Sequence, residues 1–100
     1  MNEPFDTLGD AERLLAESEQ TPSSARPAAV AALRALLYEW GVTPRADSVV
    51  ALLEQAAETD DSLLHFRAEA AVLDRFGDEP DAADRARIFV DATRARLANI

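Results

Sequence analysis

The chain has 100 residues, 48% of them hydrophobic, with 19 acidic against 10 basic side chains, a net charge of −9 and a pI near 4.4. That length suits one modest core and a single domain over residues 1–100, while the acidity opposes nucleic-acid phosphates. The absence of cysteine and the single histidine exclude disulfides, thiolate metal centres and His-rich zinc sites.

No apolar run approaches the roughly 20 residues of a membrane span, and no basic-then-apolar leader pattern opens the chain. A soluble, cytoplasmic domain is the expectation. Every basic residue is arginine and lysine is absent. A GC-rich genome or salt adaptation produces that bias equally well, so it carries no functional weight.

Proline and glycine divide the chain into helical pieces. Leu8, Ala11, Leu14, Leu15 and Ser18 recur at helical spacing, which predicts a first helix from about residue 5 or 6 to Glu19. Thr21-Pro22-Ser23-Ser24 breaks it, and Pro27 suits the first turn of the next helix, where a missing N–H is harmless. Val30, Leu33, Leu36, Leu37 and Trp40 form the second stripe, and Gly41 stands where a C-terminal glycine is expected.

Thr43-Pro44 reads as an N-cap with proline in the first helical position, with Asp47 as a first-turn acid. Val49, Val50, Leu52, Leu53, Ala56 and Ala57 then give a third helix ending near Glu58. Thr59-Asp60-Asp61 caps a fourth, with Leu63, Phe66, Ala70, Leu73 and Phe76 on one face. Leu64, Ala68, Ala71 and Val72 make a second apolar face on the same helix. Such a helix is either central in the bundle or shared with a partner, and the central position is expected. After Gly77-Asp78-Glu79-Pro80, Asp81 caps a last helix faced by Ala82, Ala86, Phe89, Val90, Thr93, Leu97 and Ile100. No strand-like alternation occurs. The predicted fold is an all-α, five-helix antiparallel bundle with short loops.

The chemistry-bearing groups are sparse. Ser62 and His65 share a helix face, but no glycine-rich oxyanion segment accompanies them, so they read as a cap residue and a polar-flank histidine. Asp60, Asp61, Asp78, Glu79, Asp81 and Asp84 cluster at the ends of the fourth helix without calcium-loop spacing. Acids stabilise helix starts through the dipole, so no metal is expected. Arg87 and Arg94 share a face able to bracket a phosphate, yet Asp84 and Asp91 offer each a simpler i,i+3 pair.

Two family resemblances follow. Asp10-Ala11-Glu12-Arg13-Leu14-Leu15, Ala31 through Leu37, the Gly41-Val42-Thr43-Pro44 turn, Ser48 through Leu53 and Val72-Leu73-Asp74-Arg75-Phe76 together resemble the helix order of the HEPN domain superfamily over nearly the whole chain. Nuclease members carry an arginine shortly before a histidine. Here Glu58, Thr59 and Asp60 stand where that arginine belongs before His65, so ribonuclease activity is not expected. The resemblance implies a non-catalytic, dimeric bundle that acts through protein partners or a nucleotide. Some relatives belong to toxin–antitoxin or nucleotidyltransferase pairs. Arg34, Arg67 and Arg75 are the candidate binding residues, as surface charges available for specific recognition.

Asp61-Ser62-Leu63 at a helix start is similar to the acyl carrier protein motif. That alternative implies phosphopantetheine on Ser62 as the one cofactor and a monomeric carrier. Thr59-Asp60 stands where that family commonly has glycine, and Arg67 and Glu69 interrupt its recognition helix.

Overall fold

A computed structural model describes residues 8–98. The described residues form an all-α bundle of five helices: α1 (Leu8–Ser18), α2 (Ala25–Glu39), α3 (Val49–Ala57), α4 (Arg67–Phe76) and α5 (Ala82–Leu97). Short 3-10 segments, Pro22–Ser24 and Asp61–Phe66, lead into α2 and α4. There is no strand among the described residues, as the sequence predicts. The expected start of the first helix at residue 5 or 6, and Ile100 on the last helical face, lie outside the described residues.

The central element is α2, which touches all four other helices. Ala25, Ala28, Ala29 and Ala32 are fully buried on it, beside Leu33, Leu36 and Leu37. Alanines at these positions let neighbouring axes approach toward the short end of the usual ~8–10 Å range. On α5, Ala82, Ala86, Phe89, Val90 and Thr93 are fully buried, as their spacing predicts. Thr93 satisfies its hydroxyl by donating to the Ala32 carbonyl of α2 at 3.3 Å, since a buried hydroxyl needs a partner.

The end of α2 follows its glycine. Gly41 has φ +75°, a left-handed conformation that costs glycine nothing. Its N–H donates to the Tyr38 carbonyl and the Val42 N–H to the Leu37 carbonyl, at 3.0 and 2.8 Å. That pair is the Schellman arrangement, which satisfies two end carbonyls of the helix.

Two expectations fail at α3 and α4. The third helix does not begin at Thr43-Pro44: residues 42–46 carry no regular secondary structure, and Val49 is the first helical residue. Buried Gln55 explains the delay. Its amide nitrogen donates to the Thr43 carbonyl at 2.8 Å and its amide oxygen accepts from the Arg45 N–H at 3.0 Å. One side chain thus satisfies the backbone groups that a helical turn there would have used. Ser48 is the N-cap, its Oγ accepting from the Ala51 N–H at 3.1 Å.

The second failure concerns the fourth helix. Its first six residues wind as a 3-10 segment, and it lies at the edge of the bundle rather than at its centre. Leu63, Ala70 and Leu73 are buried, whereas Leu64 and Phe76 are 46% and 49% exposed. Phe76 therefore belongs to the outer face, not to the buried stripe. With three residues per turn, Leu63 and Phe66 stack on one side, and Phe66 meets buried Phe89 edge-on at 6.2 Å.

Asp74 fixes how α4 sits. Its Oδ1 accepts from Arg26 Nε of α2 at 3.0 Å and from the Val49 N–H at 2.9 Å, and its Oδ2 accepts from the Val50 N–H at 2.9 Å. A carboxylate from one helix thus caps the start of another, favoured by both hydrogen bonding and the helix dipole. Gly77 allows the approach: a Cβ there would lie 2.6 Å from the Leu73 carbonyl oxygen and 3.0 Å from Arg26 Cβ. Asp74→Asn replaces one acceptor with a donor facing an N–H, and is expected to lower the urea-unfolding free energy by about 1–3 kcal/mol. An unchanged unfolding midpoint would show that α3 does not depend on this cap.

Candidate functional site

The three arginines suggested by the sequence have separate settings. Arg34 on α2 donates from Nη1 to Asp47 Oδ1 at 3.2 Å, reaching the segment before α3. Arg67 at the start of α4 pairs with Glu54 of α3 at 2.8 Å. Both guanidinium groups serve the chain's own acids. Arg75, in the last turn of α4, is exposed and has no acidic partner among the described residues, although Asp78 and Glu79 follow within four positions.

This isolation is unusual in the chain. All ten arginines lie among the described residues, and the other nine each form an ion pair. Arg87 pairs with Asp84 and also with Glu19, in the turn just after α1, both at 3.3 Å. Arg94 pairs with Asp91 at 2.9 Å and with Glu12 of α1. The i,i+3 pairing expected of both residues is therefore present, with Glu19 and Glu12 adding a second acid to Arg87 and Arg94 respectively. Exposed pairs of this kind contribute only about 0–1 kcal/mol each. Their effect here is to occupy the cations that a phosphate would need.

Ser62 sits in a different cluster. Its hydroxyl donates to Asp60 Oδ1 at 2.6 Å and accepts from Arg96 Nη2 at 3.0 Å, while Arg96 Nε donates to Asp60 Oδ2 at 2.8 Å. The cluster ties the entry to the 3-10 segment to the last turn of α5. No hydrogen bond joins Ser62 to His65, whose ring instead stands edge-on to Phe66 at 5.8 Å. The residues therefore lack the nucleophile–base contact that hydrolysis requires. Among the described residues no three His, Asp or Glu side chains gather as a metal site. No helix among them is long and apolar enough to cross a membrane.

What distinguishes the surface is the outer face of α4. Ala68, Ala71, Val72, Arg75 and Phe76 follow the i, i+3, i+4, i+7, i+8 spacing of one helical stripe. Ala71, Val72, Arg75 and Phe76 line a shallow groove. Among the described residues, the large hydrophobic side chains that stand exposed are Leu64, in the 3-10 segment, and Phe76, in the last turn of α4. Comparison with protein-family models, curated proteins and solved structures finds no match. The candidate site therefore rests on this geometry.

Leu64, Ala68, Ala71 and Val72 are legible in the sequence as a second face. Phe76 is not, because it stands three positions after buried Leu73 and its spacing alone also fits the inner stripe. Arg75 becomes distinctive only once the other nine arginines have found their acids.

The Ser62 hydroxyl, and after it Arg96, hold the Asp60 carboxyl below its ordinary pKa by hydrogen bonding to the charged form. The folded state therefore binds fewer protons than the unfolded one near an unfolded value of about 3.9. The contribution of Asp60 is complete above that value and is lost as pH falls through the lower folded value. Asp60→Asn is expected to unfold at lower urea than the native chain near neutrality. The gap should narrow below about pH 4; a gap that persists into acid would contradict the assignment.

Proposed function

We propose that this chain is a non-catalytic interaction module that associates with a second copy of itself through the outer face of α4. The observation that carries the reading is Arg75, the one arginine with no acidic partner among the described residues, set beside exposed Phe76 and half-buried Val72. Arginine and aromatic side chains are the groups that anchor protein interfaces. An apolar stripe along one exposed helix face, with charge at its end, fits another helix better than a small ligand. The HEPN-like helix order points to the same class of role.

Nucleotide binding finds less support. It needs cations or a backbone cradle for phosphate, and nine of the ten arginines are paired with acids. The global charge of −9 acts against nucleic acid in the same direction.

Sedimentation equilibrium across micromolar to millimolar protein should show the average mass rising from 10.9 kDa toward twice that value. Phe76→Glu should remain monomeric with unchanged helical circular dichroism. A native chain that stays monomeric throughout the range would refute self-association.

The carrier reading requires the Ser62 hydroxyl to leave both Asp60 and Arg96. Incubation with coenzyme A and a broad-specificity phosphopantetheinyl transferase is expected to leave the intact mass unchanged. A gain of one phosphopantetheine, absent in Ser62→Ala, would make the chain a carrier instead.

A further inference from the structure

We infer that Arg96 is a latch. It holds Asp61–Phe66 wound as a 3-10 helix, and when it lets go the segment rewinds as the first turns of α4, carrying Leu64 toward that helix's exposed face. The change occurs within one chain and needs no second copy.

A 3-10 run rarely exceeds about three or four residues, because its hydrogen bonds are poorly aligned. This one has six residues and passes without a break into α4 at Arg67. Its bonds are of the i,i+3 kind at both ends: the Leu63 N–H donates to the Asp60 carbonyl at 3.1 Å, and the Arg67 N–H to the Leu64 carbonyl. Local sequence favours the other winding. Leu63, Phe66, Ala70 and Leu73 stand at i, i+3, i+7 and i+10, the period of one continuous α-helical face. They suit the observed winding too, since Leu63 and Phe66 eclipse in a 3-10 helix and both pack on the core. The same inward side chains serve either form, so the choice falls to a contact outside the segment.

That contact is with α5. Arg96 Nε donates to Asp60 Oδ2 at 2.8 Å, and its Nη2 donates to the Ser62 hydroxyl at 3.0 Å. The hydroxyl in turn donates to Asp60 Oδ1 at 2.6 Å. A further bond from Arg96 Nη1 to the Ala92 carbonyl, at 3.1 Å, fixes the guanidinium against its own helix. A fork held in this way meets Ser62 in one winding only. Each residue advances about 120° in a 3-10 helix and about 100° in an α-helix. Rewinding the steps from Ser62 to the start of α4, with α4 held in place, turns Ser62 about 90° round the axis and takes its hydroxyl off Arg96. The bond and the α-helical winding exclude each other. Asp60 and Arg96 keep 33% and 23% of their side chains exposed, so water competes for the pair and the latch can open.

Rewinding shortens the segment by about 3 Å, and the non-helical residues 58–60 after α3 supply that length. Leu64 now lies about 90° round the axis from Ala68, whereas in a continuous α-helix the two are i,i+4 neighbours about 40° apart. Already 46% exposed, Leu64 thereby joins Ala68, Ala71 and Val72, and the apolar outer face of α4 gains a turn.

NMR of the isotopically labelled chain separates the two windings. An α-proton lies near the amide two residues on in a 3-10 helix, and near the amide four residues on in an α-helix. The native chain should show the contact between positions 61 and 63 and lack the one between 62 and 66. Arg96→Ala should exchange the first for the second while keeping its helical circular dichroism. Ser62→Ala, which deletes only an exposed hydroxyl, should show the contact between 62 and 66 in part of the population. An unchanged pattern in folded Arg96→Ala would overturn the latch, and so would loss of both contacts, since the segment would then have no α-helical form to adopt. If Arg96→Ala does not fold, the Ser62→Ala spectrum decides in its place. A contact between 62 and 66 in the native chain would overturn the inference at once.

Discussion

Asp74 is a single carboxylate that accepts three hydrogen bonds, from Arg26 on α2 and from the first two N–H groups of α3. The first turn of an isolated helix leaves its N–H groups unpaired, and α3 spans only Val49–Ala57. A helix that short has little stability of its own and depends on tertiary contacts. The same contact sets the rotation of α4 about its axis. With Asp74 turned to the interior, Arg75, one residue and about 100° further round, must face outward. Val72 and Phe76 are turned out with it. The exposed face is thus a geometric consequence of a half-buried cap.

Gln55 does comparable work on the neighbouring segment. Its amide occupies the Thr43 carbonyl and the Arg45 N–H, so these backbone groups are satisfied without a helix. Arg34 and Arg26 reach the same stretch, through the Asp47 side chain and the Asp47 carbonyl respectively. Three side chains from two helices therefore hold the path between α2 and α3. They also explain why charge is arranged as it is. Most arginines are consumed in joining helices, α1 to α5 and α2 to the α3 entry. In an acidic chain such pairing leaves a surplus of negative groups and very few free cations. A free arginine on this surface is consequently informative in a way that a free aspartate is not.

The candidate face was half legible in advance. Leu64, Ala68, Ala71 and Val72 declare a second apolar side by spacing alone. Whether that side is buried depends on how many neighbours surround the helix, and periodicity carries no such information. Alanine-rich α2 takes the centre because its small side chains allow close approach on several sides, which leaves α4 at the edge. Arg34 and Arg67 illustrate the converse. Both look available in the sequence, and both are taken by acids, Asp47 at 13 positions and Glu54 at 13 positions away. Ser62 likewise reads as a cap or a modification site until Arg96, 34 residues later, is found on its hydroxyl.

The sequence by itself determined the helical class, the five segments, their buried stripes on α2 and α5, and the glycine stop at Gly41. These are set by local physics: side-chain period, proline and glycine conformational limits, and end-group hydrogen bonding within a few residues. The tertiary structure alone decided where α3 begins, that α4 opens as a 3-10 segment, that it lies at the edge, and which arginine stays unpaired. Each of those outcomes turns on contacts between residues far apart in the chain. Gln55 with Thr43, Asp74 with Val49 and Arg26, and Arg96 with Asp60 are pairings that no local pattern encodes, because which acid meets which donor is fixed only when the helices pack.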